Sequence, residues 1–389
     1  MTGREKIEAA FSATGSAEMA AVICYETLYI RDHWEALTDC PWWYRDSPVL
    51  EHQLAWRRDV QRTTGHDWFR LPSWYPREQR KSLSIAERTD GVFLVDASAG
   101  TERRLEPPSV SGQVQYERGS TEGYSHSKPM MPATTAELDA TLPLLAEIDS
   151  EAIRADGSAD LADALLADVG RDLFPILHVT SPLWHCFSSW QFEDVMTKCV
   201  LQPDLVSHAC GRFLQRAKVA VRRARALGAQ GIWLEECMTD MLSPDCFAQL
   251  NVPPLAELVS TIRATGMKSI YYYCGNPAGK WESILDVGAD ALSFEESKKG
   301  FDTDIETIMD KVAGRCVVLG NLDSIGVLQD AAEGELATEI NRQVAAGQSN
   351  ASRFVMSLGS PVTPGTPVSK VRQYCDLTHR DRSAAEPRT

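Results

Sequence analysis

Hydrophobic and polar residues follow two different periods along the second half of the chain. From about residue 172, stretches with apolar residues three and four apart are followed by β-branched or aromatic runs that stop at polar residues. The first pattern predicts amphipathic helices, each with a glycine at its exit. The second predicts strands buried on both faces, as in a parallel sheet. The six predicted strands span residues 174–182, 231–236, 269–276, 291–297, 316–323 and 353–361.

All six predicted strands end in polar or ionisable residues, and this favours a closed barrel over an open sheet. An open doubly wound sheet concentrates its ligand groups at one switch point, whereas a barrel gathers every carboxyl end around one cavity. No GxGxxG or GxxxxGK turn follows a predicted strand, so the usual phosphate-binding reason for an open sheet is missing. The sequence therefore predicts a TIM-type (β/α)8 barrel.

The first third of the chain is less regular. Residues 17–26 predict a first strand that again ends in polar groups, and residues 49–65 predict a helix. Residues 90–105 and 109–119 alternate by twos around turn residues, which predicts a β-hairpin excursion from the barrel. Residues 121–135 have no period and are expected to form a loop.

Composition and charge narrow the classes of partner. The 389 residues are 43% hydrophobic and 24% charged, which suits one elaborated domain over residues 1–380 with a disordered tail at 381–389. A formal net charge of −15 disfavours nucleic acid and anionic membrane surfaces as partners. No apolar run is long enough for a membrane span, and Glu5 and Glu8 stand where a signal peptide would be basic and apolar. We expect a cytoplasmic protein.

The run from Tyr271 to Asn276 is the most distinctive candidate for chemistry. Strand alternation places Tyr272 and Cys274 on one face, with Asn276 in the exit loop. The neighbouring predicted strands end in two pairs of carboxylates, and a thiol with carboxylates is a plausible zinc ligand set. A packed cysteine beside surface carboxylates is the alternative, and both stay open. The two pairs are Glu235 with Glu236 and Glu295 with Glu296.

Further residues at the predicted strand ends are candidates for lining a substrate pocket. His185 and Trp190 lie in an aromatic segment after the strand at 174–182, and Asn321 follows the strand at 316–323. Together with Glu235 and Asn276 they form the predicted substrate-binding set.

Six segments between about residues 170 and 375 form a distinctive series: SPLW with QPDLV, GAQGIWLEECMTDMLSPDCFAQLNVPPL, YYYCGN, GADALSFEES, VVLGNLDSIGVL and SLGSPVTPGTP. In their order and spacing these segments resemble the uroporphyrinogen decarboxylase superfamily. The resemblance implies a TIM-type barrel with its site at the carboxyl ends of the strands, as the periodicity also predicts. Members are either decarboxylases or corrinoid-linked methyltransferases.

When its segments are compared with those of the resembled family, this chain departs from the motifs of both branches. The decarboxylases carry an early RQAGR-type loop, and this chain has AAVICYETLYIRDHW there instead. The methyltransferases hold zinc with a His-x-Cys pair and a later Cys. Cys274 matches the Cys of the pair, but Tyr272 stands at the His position and Ser360 where the second thiol is expected. Zinc on Cys274 with carboxylate help, and metal-free chemistry with Tyr272 as proton donor, both stay open.

We expect a methyltransferase that moves a methyl group between a small O-, N- or S-methylated compound and a corrinoid. The chain has no DxHxxG-type loop, so the corrinoid is expected on a separate partner protein. Tyr272, with Glu236 and Glu296 as the inward-facing carboxylates, is the predicted catalytic set.

Two other functions stay open. A decarboxylase of a small acid would need cations at the barrel mouth, for which Arg31, Arg70 and Lys298 are candidates. A non-catalytic ligand-binding barrel is the other alternative. Pairing of two copies through the barrel helices is also left open.

Overall fold

Parallel strands surrounded by helices form the main body of the chain, and a small antiparallel sheet is inserted near the N-terminus. The computed structural model describes residues 1–108, 128–297 and 300–380. The strands are β1 (Trp68–Arg70), β2 (Leu83–Arg88), β3 (Gly91–Asp96), β4 (Thr101–Leu105), β5 (Phe174–Thr180), β6 (Gly231–Glu236), β7 (Lys268–Tyr273), β8 (Ala291–Phe294), β9 (Val317–Leu319) and β10 (Phe354–Val355).

The helices alternate with these strands after residue 174, as the periodicity predicts. They are α1 (Gly3–Ala10), α2 (Glu26–Asp32), α3 (Trp34–Leu37), α4 (Leu50–Thr64), α5 (Arg77–Ser82), α6 (Thr135–Thr141), α7 (Ser150–Ala155), α8 (Asp160–Asp168), α9 (Pro182–Ser189), α10 (Phe192–Leu201), α11 (Pro203–Ala226), α12 (Pro244–Leu250), α13 (Val252–Ala264), α14 (Trp281–Asp286), α15 (Ile305–Val312), α16 (Glu333–Ser349) and α17 (Val368–His379). Two short 3-10 helices (Trp42–Asp46 and Thr239–Met241) and a π-helical turn (Ser324–Gln329) complete the described elements.

The main sheet closes into a barrel through the segment before α2. Its seven strands run in the order β1-β5-β6-β7-β8-β9-β10, and all neighbours are parallel. Ala21 forms a parallel bridge with Met356, next to β10, and its carbonyl accepts a 2.8 Å hydrogen bond from Asp67 N–H, next to β1. Residues 20–22 thus occupy the eighth strand position, and the predicted (β/α)8 barrel is confirmed.

Side chains alternate between the barrel interior and the helix layer. Trp233 of β6 stacks on Tyr272 of β7, with ring centroids 5.1 Å apart. The next residue along β7, Tyr273, instead packs edge-on against Phe247 of α12 at 5.9 Å. The phase of this alternation decides which residues at each strand end enter the barrel.

The N-terminal region contains the predicted hairpin and two strands that the sequence pattern missed, β1 and β2. β3 and β4 form the antiparallel hairpin, and β2 adds a third strand next to β3. β2 was missed because its polar and apolar residues alternate only weakly. The second half of the predicted excursion, at 109–119, and the predicted tail at 381–389 lie outside the described residues. The assignment of residues 1–380 to one domain stays a prediction.

No helix in the described parts of the chain is long and apolar enough to cross a membrane.

Asp67 joins both ends of the chain to the barrel. Its Oδ2 accepts a 2.7 Å bond from Ala21 N–H and lies 2.6 Å from Nε2 of His379, at the end of α17. Its main chain also links to the neighbouring strands, because Asp67 O accepts from Phe174 N–H at 3.0 Å. Asp67 is 5% exposed, so a lost acceptor here would not be replaced readily by water.

We predict that Asp67→Ala lowers the free energy of unfolding by about 2–3 kcal/mol, because it leaves a buried N–H unsatisfied and removes the acceptor for His379. Chemical denaturation measures the change. Asp376→Ala on α17 is the matched control, since it removes only an exposed pair with Arg372 and should cost about 0.5 kcal/mol or less. Equal losses in the two variants would contradict the role given to Asp67.

Candidate functional site

The carboxyl ends of the barrel strands bring a phenol and a carboxylate together on the inner face. Tyr25 donates from its hydroxyl to Glu235 Oε1 at 3.1 Å. Its ring packs edge-on against Tyr272 at 5.7 Å and against Trp233 at 6.4 Å. Tyr25 has a left-handed backbone, with φ of 53°, which is uncommon for a bulky residue and aims the ring across the mouth. Glu235 therefore lies on the inner face.

Glu236 lies on the opposite face, against the helix layer. Its Oε1 accepts from Ser181 Oγ and its Oε2 from Asn251 Nδ2, both at 2.8 Å, and the residue is fully buried. Asn251 sits at the junction of α12 and α13, outside the barrel. The prediction that Glu236 faces the cavity is therefore wrong, because strand alternation turns Glu235 inward instead.

Burial makes Glu236 an unusual carboxyl group. Desolvation raises its pKa to about 8, although the hydrogen bonds from Asn251 and Ser181 favour the ionised form and the charge of Glu235 disfavours it. Near neutral pH, Glu236 is therefore largely protonated.

Two thiols and a carboxylate lie at the ends of three successive strands. Cys237 follows β6, Cys274 follows β7 and Glu295 follows β8. A hydrogen bond with Cys237, then burial and the negative charges of Cys237 and Glu295, raise the pKa of Cys274 well above its ordinary value. Its sulfur therefore stays a protonated thiol near neutral pH. Cys237 was not predicted, although its position two residues after Glu235 placed it on the same face.

These donors do not fit the zinc centre that the family resemblance implies. Among the residues that the structure describes, no three His, Cys, Asp or Glu side chains are arranged to hold a metal ion. The prediction of Cys274 as a metal ligand thus finds no supporting ligand set at this mouth.

Tyr272 and Glu296 are engaged with the loop after β10. Tyr272 donates from its hydroxyl to the carbonyl of Gly359 at 2.9 Å, and burial raises its pKa well above the ordinary value. Glu296 Oε2 accepts from Ser360 Oγ at 2.8 Å. A Cβ on Gly359 would lie 2.4 Å from Glu296 N, so this close approach requires glycine. The partner of Tyr272 is thus a main-chain carbonyl and not a predicted carboxylate.

The other predicted substrate-binding residues do not gather at the mouth. Asn276 Oδ1 accepts from Ala278 N–H at 2.9 Å and shapes its own turn. Asn321 Nδ2 donates to the carbonyls of Glu295 and Thr303, which fixes the backbone behind Glu295. His185 and Trp190 both pack on a helical side chain, Phe213 of α11, at 5.1 and 5.6 Å between ring centroids.

Two further residues lie at the mouth. His178 was not predicted from the sequence, and Arg70 was named as a candidate cation that the sequence could not place. His178 of β5 stacks on Trp233 at 6.0 Å and meets Tyr25 edge-on at 6.5 Å. Burial, with the positive charge of Arg70, lowers the pKa of His178 well below its ordinary value. The mouth therefore contains a neutral imidazole near the end of β1.

The raised pKa of Glu236 gives a pH-dependent stability. Folded Glu236 keeps its proton to about pH 8, whereas an unfolded glutamate loses it near pH 4.5. This stabilising contribution is complete below pH 4.5 and is lost as the pH rises through 8. Between pH 6 and 8 we expect the free energy of unfolding of the wild type to fall by about 2 kcal/mol relative to Glu236→Gln, which has no proton to lose. Denaturation curves at both pH values test this, and a constant difference would contradict it.

Comparisons with known proteins agree with this architecture. Uroporphyrinogen decarboxylase of Anaeromyxobacter sp. (strain Fw109-5) is 24% identical over 188 residues, which are 48% of this chain and 51% of that protein. Uroporphyrinogen decarboxylase 2, chloroplastic, of Arabidopsis thaliana is 22% identical over 196 residues, or 50% of this chain and 48% of that protein. The chain thus aligns with about half the length of these curated relatives.

A solved structure and a family pattern extend the comparison. The structure described as "methyltransferase from Methanosarcina mazei" matches 97% of this chain and 98% of its own, with a TM-score of 0.61 and 15% identity, which is a likeness of fold. Residues 176–380 match the family described as Uroporphyrinogen decarboxylase (URO-D). With the strand-end site of a (β/α)8 barrel and this match over more than half its length, the chain belongs to the uroporphyrinogen decarboxylase family.

Proposed function

We propose that this protein moves a methyl group between a small methylated compound and a corrinoid carried by a separate partner protein. The observation that carries the proposal is the set of side chains at the ends of β6, β7 and β8, where Cys237 and Cys274 lie beside Glu295. The fold shared with the methyltransferase from Methanosarcina mazei supports the same reaction class.

The charge of the mouth favours a neutral or cationic substrate. Glu235 lies on the inner face, and Glu295 and Glu296 follow the end of β8. Carboxylates in such surroundings repel further carboxylates strongly, because the effective dielectric constant is below that of water. A methoxy, methylamino or methylthio compound avoids this repulsion. The aromatic rings of Tyr25, Trp233 and Tyr272 offer apolar contact for such a group.

The protonation state of Cys274 suits the proton transfer that demethylation needs. When the methyl group of a methoxy compound passes to the partner's corrinoid, the oxygen would keep the electron pair of the broken bond and take up a proton, whereas a methylammonium compound would leave a neutral amine that needs none. The Cys274 thiol donates that proton in this proposal, and Glu295 passes a replacement from solvent. A thiol with a raised pKa still protonates an alkoxide, whose conjugate acid is weaker.

A decarboxylase acting on a small acid is the second candidate, and one observation favours it. Arg70 is the last residue of β1, and its positive charge contributes to the lowered pKa of His178. A cation and a neutral imidazole therefore lie at the same mouth. Such a pair would bind a carboxylate and then supply a proton to the carbanion left by CO2. Release of CO2 from candidate acids, measured beside methyl transfer, separates the two reactions.

Replacement of Cys274 tests its role as proton donor. Wild-type protein is incubated with reduced corrinoid and methylated alcohols, amines and sulfides, and corrinoid methylation is followed by absorbance. Cys274→Ala should lower turnover by roughly two to four orders of magnitude, the range for losing a general acid. Cys246→Ala, at a partly exposed thiol near Cys199, is the matched control and should keep full turnover. Unchanged turnover in folded Cys274→Ala would rule out this role.

Tyr272→Phe distinguishes two roles of Tyr272, as part of the pocket wall or as a catalytic acid. The change removes the bond to Gly359 O, which should cost about 1 kcal/mol of stability. Because the hydroxyl already points at that carbonyl, we expect turnover to stay within about tenfold of the wild type. A loss of roughly two to four orders of magnitude in a well-folded variant would restore Tyr272 as the proton donor.

A further inference from the structure

A cavity lies beside the end of β1, and its lining is rich in arginine. The cavity has a volume of about 700 Å³ and is bounded by α2, α4, the end of β1 and α8. None of Glu235, Tyr272 and Cys274 lines it, although Arg70 at the end of β1 belongs both to this lining and to the surroundings of His178. Its described lining contains six arginines, namely Arg31, Arg45, Arg57, Arg58, Arg70 and Arg103.

The carboxylates in the lining do not match this positive charge. They are Glu26, Asp46 and Asp168, three against six arginines, in a chain whose net charge is −15. Asp168 pairs with Arg58 at 2.7 Å, and Asp46 is shared by Arg45 and Arg103. Arg31 pairs at 2.7 Å with Asp32, which lies outside the lining. The six arginines of the lining therefore face four carboxylates, those of the lining together with Asp32.

Arg57 is held rigidly within this lining without a carboxylate partner. Its Nη1 donates to the carbonyl and to Oε1 of Gln53, at 2.9 and 2.6 Å, and its guanidinium lies 3.9 Å from the centre of the Trp56 ring. Gln53 is itself fixed by three main-chain carbonyls. Within the described residues, no carboxylate lies in ion-pair distance of Arg57, and its Nε and Nη2 make no hydrogen bond.

The surroundings of Arg57 favour a bound anion. Burial lowers its pKa to about 9, and the positive charge of Arg70 acts in the same direction, while Glu26 opposes them. The oxygens of Glu26 are already in use, since Oε2 accepts from Arg70 N–H and Oε1 lies 3.1 Å from His66 Nε2. Arg57 stays protonated at neutral pH, and an incoming anion would relieve its repulsion with Arg70.

The remaining walls are apolar and indicate an organic ligand rather than a simple ion. Leu28, Ile30, Val60, Phe69 and Leu165 contribute to them. A volume of about 700 Å³ lies within the range of small-molecule pockets. A smaller cavity of about 360 Å³ adjoins it and shares Arg57.

We propose that this cavity binds a small organic anion, with its carboxylate or phosphate group on the guanidinium of Arg57 and its apolar body against α4 and β1. A planar guanidinium with free N–H groups suits both head groups. The proposal rests on the arginine lining and holds whether or not the protein transfers methyl groups.

Binding of benzoate and phenyl phosphate, with benzamide as the neutral analogue, tests the proposal. We expect saturable binding of at least one anion by calorimetry, and at least about tenfold weaker binding of benzamide. Arg57→Gln should weaken the anion at least about tenfold, because a charged bidentate contact is lost. Arg62→Gln on the same helix is the matched control, since Arg62 is exposed and outside the lining, and should keep wild-type affinity.

Chemical labelling of the wild type keeps the test decisive if Arg57→Gln does not fold. Phenylglyoxal modifies arginine side chains, and mass spectrometry reports each site. The tighter anion should slow labelling of Arg57 and leave labelling of Arg62 unchanged. Absence of saturable binding, equal affinity in folded Arg57→Gln, or equal labelling of Arg57 with and without the anion would each overturn the proposal. The relative affinities of benzoate and phenyl phosphate identify the preferred head group.

Discussion

The alternation of side chains along β6 is the constraint on which the rest of the site depends. Successive residues of a strand point to opposite faces, so only one of two adjacent glutamates can enter the barrel. Glu235 enters it and meets the hydroxyl of Tyr25, whereas Glu236 turns outward to Ser181 and Asn251. Two chemically identical groups thereby acquire different partners and different protonation.

The alternation of side chains along β6 decides which groups lie on each face of the sheet. On the outer side, Glu236 is a buried neutral carboxyl that joins β6 to the helix layer through Asn251. On the inner side, the same phase brings Cys237 to the face of Glu235 and next to Cys274. The mouth thus holds thiols and carboxylates. This chemistry is the basis for proposing methyl transfer to a partner's corrinoid.

The periodic part of the fold was predictable from sequence because buried strands and amphipathic helices differ in their spacing. The six strands from 174 onward and the barrel closure by residues near Ala21 follow that pattern. Orientation within the site was harder. The sequence alone does not show whether Glu235 or Glu236 faces the barrel interior. The pairing of Glu235 with Tyr272 on β7 decides which of them does.

Features assembled from distant segments were beyond the sequence pattern. Tyr25 reaches Glu235 across 210 positions of the chain, and it does so with a left-handed backbone that the sequence pattern does not predict. The arginine-lined cavity combines helices, β1 and the excursion strand β4, and the sequence singled out only Arg31 and Arg70 among its six arginines. The residues at the separate strand ends likewise did not predict the hydrogen bond from Tyr272 to the carbonyl of Gly359.

The fate of a labelled methyl group is the measurement that tests the account most directly. Wild-type protein is incubated with reduced corrinoid, free and protein-bound, and with isotopically methyl-labelled ethers, amines and thioethers, and NMR locates the label. The account predicts that label from at least one donor moves to the corrinoid cobalt in the presence of the protein and not in its absence. No transfer from any donor to either form of corrinoid, together with CO2 release from a carboxylic acid by the same preparation, would contradict it.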